Sequence, residues 1–181
     1  MPPTSPDNLF ADIAFAPEAP VDALSIDALH DHVFGPGRFT RAASLIREQG
    51  LHDPRLSFTA RLSDLLIGSV RMTPIRVGKD SFGHLLGPLA VLTPRRKLGV
   101  GKHLVNLGVE AARKSGSPFV LLVGDAPYYW SMGVRPSSIE KVRMPLPVAP
   151  DRLLVCELEA RTAERLKGNV RHAHCIGPDV N

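Results

Sequence analysis

A short cationic turn carries the clearest chemical signal in the sequence. Residues 95–102, RRKLGVGK, place four cations and two glycines between an apolar run and an amphipathic one. At the start of a helix the backbone N–H groups have no intrahelical acceptor, and the helix dipole adds partial positive charge. Gly99 and Gly101 would let an anion approach that backbone closely. The pattern predicts a phosphate cradle, although a solvated basic loop whose glycines only ease a turn has the same composition.

The spacing of these glycines does not match two familiar phosphate-binding patterns. It is neither the G-x-x-x-x-G-K-[ST] of P-loop proteins nor the G-x-G-x-x-G of dinucleotide-binding proteins. The turn therefore implies a different phosphate-bearing ligand.

A run of aromatic residues is the second candidate for chemistry. Both tyrosines and the single tryptophan of the chain are consecutive, as Tyr128, Tyr129 and Trp130. Clustered core aromatics explain such a run without any chemistry, and we expect Trp130 to be a core residue. A tyrosine hydroxyl has a reference pKa of ~10, so it is neutral at pH 7 and can protonate a leaving group.

The histidines and cysteines give weaker signals. His172, His174 and Cys175 lie together without a second ligand pair, so we expect no metal site. Cys156 stands in an apolar run, as an inert core thiol does. Two cysteines without redox spacing are typical of reduced cytoplasmic thiols. No Ser/His/Asp signature is visible.

The elements on either side of the turn are expected to place it at the carboxyl end of a β-strand. Residues 82–92 form an apolar run interrupted at Gly87–Pro88, residues 99–115 form a two-faced helix, and residues 119–123, FVLLV, form a buried strand. This order is a βαβ unit, and ligands bind beyond the carboxyl ends of parallel strands. Because proline cannot donate to a ladder, we expect the first strand to bend and lose pairing with one neighbour.

The rest of the sequence predicts an α+β protein with a mixed sheet. Further strands are predicted at residues 13–16, 56–62, 65–72 and 153–158. Helices are predicted at residues 21–34, 39–49 and 128–132, with Gly50 as a C-cap and Asp125 as the N-cap of the last.

Size and charge point to one domain that binds a small anion. We expect a disordered tail at residues 1–8, a single domain at 9–176 and a loose end at 177–181. The sequence shows no secretory signal and no run of ~18 apolar residues, so we expect a cytoplasmic protein without membrane contact. The net charge of +4 is spread along the chain, which favours a small anionic ligand over nucleic acid.

Three separated motifs resemble the GNAT superfamily of acyl-CoA-dependent N-acyltransferases. The family's central motif is Q/R-x-x-G-x-G/A, and residues 96–101, RKLGVG, match it. The stretches GPLAVLTPRRKLGVG, LLVGDAPYYWSMGV and LKGNVRHAHCI are similar to the YhbS-like branch of predicted N-acetyltransferases. The resemblance covers most of the chain and implies a single-domain α+β fold. That fold has a mixed, mostly antiparallel sheet with a central βαβ unit and splayed strands, flanked by helices.

The resemblance also implies acetyl-CoA as co-substrate, with no metal. The pyrophosphate of coenzyme A would bind backbone N–H groups of the turn, and its pantetheine arm would lie along the preceding strand. The residues implied for the turn are Arg96, Lys97, Leu98, Gly99, Val100, Gly101 and Lys102, and those for the strand are Leu89, Ala90 and Val91.

For catalysis, the resemblance implies that Tyr129, four residues before Gly133, protonates the departing thiolate. Val134 stands where the family commonly has phenylalanine, a departure that affects packing more than chemistry. The family's base tends to come from the strand before the turn, where His84 is the titratable residue and so the candidate base. A neutral amine, however, needs no base beyond water.

These features predict acetyl transfer from acetyl-CoA to a primary amine, on a small molecule or a peptide, by direct attack in a ternary complex. Two alternatives remain: a non-catalytic module that senses acyl-CoA, and a phosphate-ligand or nucleotide-binding protein unrelated to acyl transfer. The sequence does not specify the acceptor, the acyl length or the oligomeric state, and it is compatible with a homodimer. Candidate pocket walls are Phe34, Arg38 and Phe39.

Overall fold

The computed structural model describes residues 10–37, 41–134 and 141–175, and only the backbone of Pro94 and Arg96. The predicted tail at residues 1–8 and the predicted loose end at 177–181 lie outside the described residues, as do Arg38 and Phe39. Residues 9 and 176, the bounds of the predicted domain, lie outside them too.

The described residues build an eight-stranded sheet. Its main path runs β1-β2-β3-β4-β5-β7, and β8 pairs with β3 and with β6. Two pairs, β4 with β5 and β6 with β8, are parallel, and the others are antiparallel. This arrangement confirms the predicted α+β class with a mixed, mostly antiparallel sheet. The strands are β1 (Ile13–Pro17), β2 (Phe58–Leu62), β3 (Leu65–Val77), β4 (Ser81–Val91), β5 (Phe119–Val123), β6 (Val142–Arg143), β7 (Leu153–Glu157) and β8 (Gly168–His172).

Helices cover both faces of the sheet. On β3, Gly68 faces Leu104 of the long helix α3, whereas the neighbouring Ser69 bonds His30 of α1. Because successive strand residues point to opposite faces, α1 and α3 lie on opposite sides of the sheet. The helices are α1 (Ala23–Phe34), α2 (Ala42–Arg47), α3 (Val100–Lys114), α4 (Ala126–Trp130) and α5 (Thr162–Arg165).

The apolar face of α3 makes the largest core cluster. Val100, Leu104, Val105 and Ala112 are buried in it. Gly108 brings the helix close to β3, since a Cβ there would stand 3.3 Å from the sulfur of Met72. The predicted βαβ unit is therefore confirmed as β4-α3-β5, and its helix is held where the cationic turn meets the end of β4.

The predicted break in β4 is also confirmed. β4 pairs with β5 only at His84–Val120 and Leu85–Leu121, while its antiparallel pairing with β3 continues to Val91 with a register shift opposite Gly87–Pro88. From Leu86 onward, β4 and β5 diverge. The divergence leaves a slot between two central strands.

Some predicted elements have different bounds. β3 extends five residues beyond the predicted end at residue 72, because its last residues, Ile75 to Val77, pair with β4 on one side and β8 on the other. Helix α2 ends at Arg47, and Gly50 is not its C-cap but accommodates the ring of His172, which would collide with a Cβ there. The sequence pattern did not reveal the short elements β6, α5 and β8.

Candidate functional site

The first turn of α3 has the geometry that the glycines suggested. Residues Thr93–Leu98 form a 3-10 turn, and Gly99 follows at φ 79°, in the left-handed region that favours glycine. No described residue outside the helix accepts the N–H groups of Val100, Gly101 and Lys102. A Cβ on Gly99 would meet nothing within 4 Å. The N–H groups at this helix start thus lack a described acceptor outside the helix; Val100 and Gly101 are buried, whereas Gly99 and Lys102 are exposed.

Gly101 is enclosed in a different way. A Cβ on residue 101 would collide with the hydroxyl of Tyr128, which lies against this position. The open space expected above both glycines is therefore present only at Gly99. At Gly101 the missing side chain makes room for a phenol of the protein itself, which joins α4 to the start of α3.

A cavity of about 1100 Å³ opens on the slot between β4 and β5. Its walls come from α1, α2 and β3, from the break in β4, and from residues 123–125 and 146–149. Phe34, a predicted wall residue, lines it, as do both Tyr128 and Tyr129. None of the described residues from 93 to 102 lines it. Tyr128 therefore connects two neighbouring sites, since it lines the cavity and also touches the helix start.

The predicted strand residues divide between wall and core. Leu89 lines the cavity, directly after Gly87 and Pro88. Ala90 and Val91 are buried at 0% and 7% exposure and do not line it. Their backbone pairs with β3, at Ser69 and Gly68 respectively.

Tyr129 is a buried phenol that lines the cavity. Its ring packs against Gly124, where a Cβ would collide with it, and stands edge-on to Tyr128 at 4.9 Å between ring centroids. Burial, together with the neighbouring Tyr128, raises the pKa of Tyr129 to about 12. The hydroxyl is therefore protonated at neutral pH and available as a proton donor.

His84 lies apart from the cavity. Its Nδ1 is 2.9 Å from the hydroxyl of Ser117, at the entrance to β5, and burial lowers its pKa. His84 is not among the cavity-lining residues, so the structure does not bring it together with Tyr129. The candidate base on β4 has no geometric support.

The main polar wall of the cavity was missed in the sequence. Arg71 and Thr73 line the cavity from β3, and Ser69 lies on the same α1 face of that strand without lining the cavity. The period of two was the available signal. His30 bonds Ser69 at 3.1 Å, and Arg71 donates two hydrogen bonds from Nε and Nη2 to the buried carboxylate of Glu18.

Glu18 also holds His52 in place. Nε2 of His52 lies 3.1 Å from Oε1 of Glu18, whose side chain is 6% exposed. Burial alone would raise the pKa of Glu18, but the hydrogen bonds from His52 and Arg71 outweigh it and lower the pKa to about 2. The ionised carboxylate thus fixes two cavity-lining side chains.

Three other expectations can be compared with the structure. Trp130 is not a core residue, since it is 48% exposed. Asp125 precedes α4, but its side chain makes no capping hydrogen bond. Cys156 is buried in β7, where burial raises the pKa of its thiol.

The residues near the C-terminus form hydrogen bonds within the protein. Nε2 of His172 lies 2.9 Å from the carbonyl of Leu51, and its Nδ1 accepts from the N–H of His174 at 3.2 Å. Both ring nitrogens of His172 are therefore occupied. No group of three metal-ligating side chains occurs among the described residues. No described helix has the length and apolar character needed to cross a membrane.

The glycine turn, the slot and the tyrosine pair all fall inside one conserved family pattern. The model of the acetyltransferase (GNAT) family matches residues 24–132, more than half of the 181 residues. The chain belongs to the GNAT family of acetyltransferases. The resemblance seen in the sequence is confirmed, and the match spans α1 to α4 of this GNAT protein.

Relatives of this GNAT protein support the same assignment. It is 29% identical to the uncharacterized N-acetyltransferase YjhQ of Escherichia coli (strain K12), over 87% of this chain and 89% of that protein. It is similar to the crystal structure of the GNAT N-acetyltransferase YhbS from Escherichia coli in complex with CoA, with a TM-score of 0.76, 26% identity and 89% of each chain covered. A GNAT acetyltransferase from Brucella melitensis in complex with acetyl-CoA shares the fold, with a TM-score of 0.55, 22% identity, and 84% of this chain and 97% of that chain covered.

Proposed function

We propose that this GNAT protein transfers an acetyl group from acetyl-CoA to a primary amine in a ternary complex. The observation that carries the proposal is the position of Tyr128, which joins the helix start to the cavity beside the break in β4. The helix start would offer amide donors for a diphosphate, the part of β4 beyond its pairing with β5 would receive an amide-bearing arm, and Tyr129 would supply a protonated phenol. YhbS, whose crystal structure is a complex with CoA, is similar over 89% of this chain.

The helix start would bind the pyrophosphate of coenzyme A. The N–H groups of residues 96–102 would donate to its oxygens, with Gly99 leaving room for their approach. Exposed Lys97 and Lys102 add positive charge around the site. Among the described residues, β4 pairs with β5 only at His84 and Leu85, and we assign the pantetheine arm to the side of β4 that faces β5, along Leu89 to Val91.

The chemical step needs one proton donor and no residue of β4 as base. The nitrogen lone pair of a neutral amine attacks the thioester carbon, a C–N bond forms and the C–S bond breaks. Tyr129 donates its hydroxyl proton to the departing sulfur, the new amide loses the amine's proton to water, and solvent reprotonates Tyr129. Holding both substrates in one cavity supplies much of the rate. We place the reaction in the cytoplasm.

A thiol-release assay with acetyl-CoA across a panel of primary amines tests this proposal. Y129F should lower kcat by about 100-fold and leave the affinity for coenzyme A nearly unchanged. W130F is the matched control, because Trp130 lies on the same helix but does not line the cavity, and it should retain full activity. Unchanged turnover in Y129F would remove Tyr129 from the mechanism.

The alternative function, a non-catalytic sensor of acyl-CoA, predicts a different outcome. Acetyl-CoA would then raise the melting temperature, yet no amine would release thiol. Stabilisation by ATP or NAD without stabilisation by coenzyme A would instead favour a nucleotide-binding protein.

A further inference from the structure

We propose that the amine acceptor carries a carboxylate, and that Arg47 binds it. This inference rests on the proposed acetyl transfer and narrows its substrate class. Arg47 ends α2 and lines the cavity. Its Nε is buried and has no hydrogen-bond partner among the described residues. Buried polar groups in proteins are almost always paired, so an unpaired guanidinium N–H in a cavity indicates a missing acceptor.

The other buried arginine of this wall already has its counter-ions. Arg71 forms an ion pair with Glu18 at 2.8 Å and lies 3.6 Å from Asp27. The charges that act on Arg47 are instead those of Arg41 and Arg71, both positive. Arg41 is exposed, with its guanidinium carbon 5.3 Å from the centre of the Phe34 ring. Arg152, which also lines the cavity, is exposed to solvent, so Arg47 is the partly buried cavity arginine without an ion pair among the described residues.

The energetics of Arg47 agree with this geometry. Burial lowers its pKa to about 10, and repulsion from Arg41 and Arg71 contributes to the decrease. The side chain still carries its charge at neutral pH, so an incoming anion would offset both the burial and the repulsion. The planar fork of a guanidinium fits the two oxygens of a carboxylate.

A second orphaned group lies in the same cavity. The hydroxyl of Thr73 is fully buried, lines the cavity and has no described hydrogen-bond partner. A hydroxyl can donate to a carboxylate or accept from an ammonium group. Two unpaired polar groups in one cavity, a cation and a hydroxyl, match a ligand with its own polar groups better than an apolar one.

The position of Arg47 indicates how far the carboxylate of the acceptor should lie from its reacting amine. Its Nη2 lies 3.9 Å from the point where a Cβ on Gly87 would stand, beside the break where β4 leaves β5. A carboxylate bound there would be close to the slot that receives the thioester. The acceptor should therefore hold its amine and its carboxylate close together, as an amino acid does. A polyamine would bring only further positive charge to Arg47 and Arg41.

The test compares amino acids with their own carboxamides, which keep the amine and lose the negative charge. Steady-state transfer gives kcat/KM for each pair, and melting temperatures measured with saturating coenzyme A give binding without turnover. We expect one or more amino acids to be favoured over their amides by at least tenfold. The ammonium group of the amide is more acidic than that of the amino acid, so more of the amide is present as free amine at neutral pH. Intrinsic reactivity therefore favours the amide and works against the expected preference for the amino acid.

R47Q should abolish the preference while leaving the affinity for coenzyme A unchanged, and R47K should restore part of it. R76Q is the matched control, because Nε of Arg76 is also buried and unpartnered but Arg76 does not line the cavity. R76Q should keep the preference. Equal use of acid and amide, an unchanged preference in R47Q, or no stabilisation by any amino acid would overturn the proposal. Carboxylate-dependent stabilisation without turnover would refute acetyl transfer and leave the anion site intact.

Discussion

The hydroxyl of Tyr128 lies against Gly101, at the position that a Cβ on residue 101 would occupy. Residue 101 belongs to the start of α3, whereas Tyr128 belongs to α4 and lines the cavity. The contact joins the two parts of the site, which are 27 residues apart in the chain. Packing between two helices therefore explains a glycine at 101, whether or not an anion binds there.

The double-mutant cycle between G101A and Y128A measures this contact. Alanine improves helix propensity by about 1 kcal/mol over glycine, but in the native background it must displace the half-exposed Tyr128 ring. We expect G101A alone to be nearly neutral for stability, and G101A in the Y128A background to stabilise by about 1 kcal/mol. Urea unfolding of the four proteins gives the coupling energy. An identical effect of G101A on the free energy of unfolding in both backgrounds would show that the contact between Tyr128 and residue 101 does not contribute to stability.

Glycine-to-alanine changes at the two ends of α3 separate backbone strain from ligand binding. Gly99 and Gly116 have φ of 79° and 81°, and a Cβ at either would meet nothing within 4 Å. G99A and G116A should each cost roughly 1–2 kcal/mol of stability, because alanine is strained in the left-handed region. Calorimetry should show weaker coenzyme A binding in G99A alone. Equal affinities in the two variants would count against the helix start as the binding site.

The pH dependence of transfer tests the role of Tyr129. Because burial raises its pKa to about 12, the donor form persists through pH 10, and ionisation removes it only near pH 12. The rate at saturating substrates should rise as the amine loses its proton and then stay level to pH 10.5 or so. A descending limb below pH 10 that disappears in Y129F would show that Tyr129 titrates in water-like surroundings.

Glu18 should make the protein sensitive to acid. Its pKa falls from 4.5 to about 2 on folding, so its contribution to stability is complete above pH 4.5 and is lost as the pH falls toward 2. The contribution should be on the order of 2 kcal/mol. Unfolding measured from pH 7 to pH 3 should be markedly flatter for E18Q than for the native chain.

E164Q provides the comparison for Glu18, since the Arg161–Glu164 pair is 81% and 62% exposed. Such a surface pair contributes little, so E164Q should follow the native pH profile. If E18Q followed it as well, the buried network of Glu18, His52 and Arg71 would have no role in stability.

The βαβ unit could be predicted because its signals are local. The apolar run of β5, the two-faced pattern of α3 and the break at Gly87–Pro88 each act within a few residues, and their order determined the topology. The full length of β3 was missed. Its last residues pair with β4 across the turn at residues 78–80, which was a local signal, and also with β8 about 95 positions later in the chain, which no local pattern reports.

The site was predictable in its sequence-adjacent parts only. The glycine turn and the tyrosine pair are contiguous motifs, whereas Arg47, Arg71 and Thr73 meet in the cavity because separate elements pack together. The residue types alone did not indicate a cavity, since single arginines and threonines usually lie on the surface; only the alternation of Arg71 and Thr73 along β3 was a signal. The exposure of Trp130 shows the converse, because an apolar residue next to a buried tyrosine need not be in the core.

The chemical shifts of the backbone amides at the start of α3 test the central claim most directly. Coenzyme A and pantetheine share the same thiol arm, but pantetheine lacks the diphosphate and the nucleotide. Titration of labelled protein with coenzyme A should move the N–H signals of Val100, Gly101 and Lys102 strongly downfield, and pantetheine should leave them in place. If coenzyme A binds while these three signals stay unchanged, the amides that open α3 do not hold the diphosphate, and the proposed acetyl-transfer site is in the wrong place.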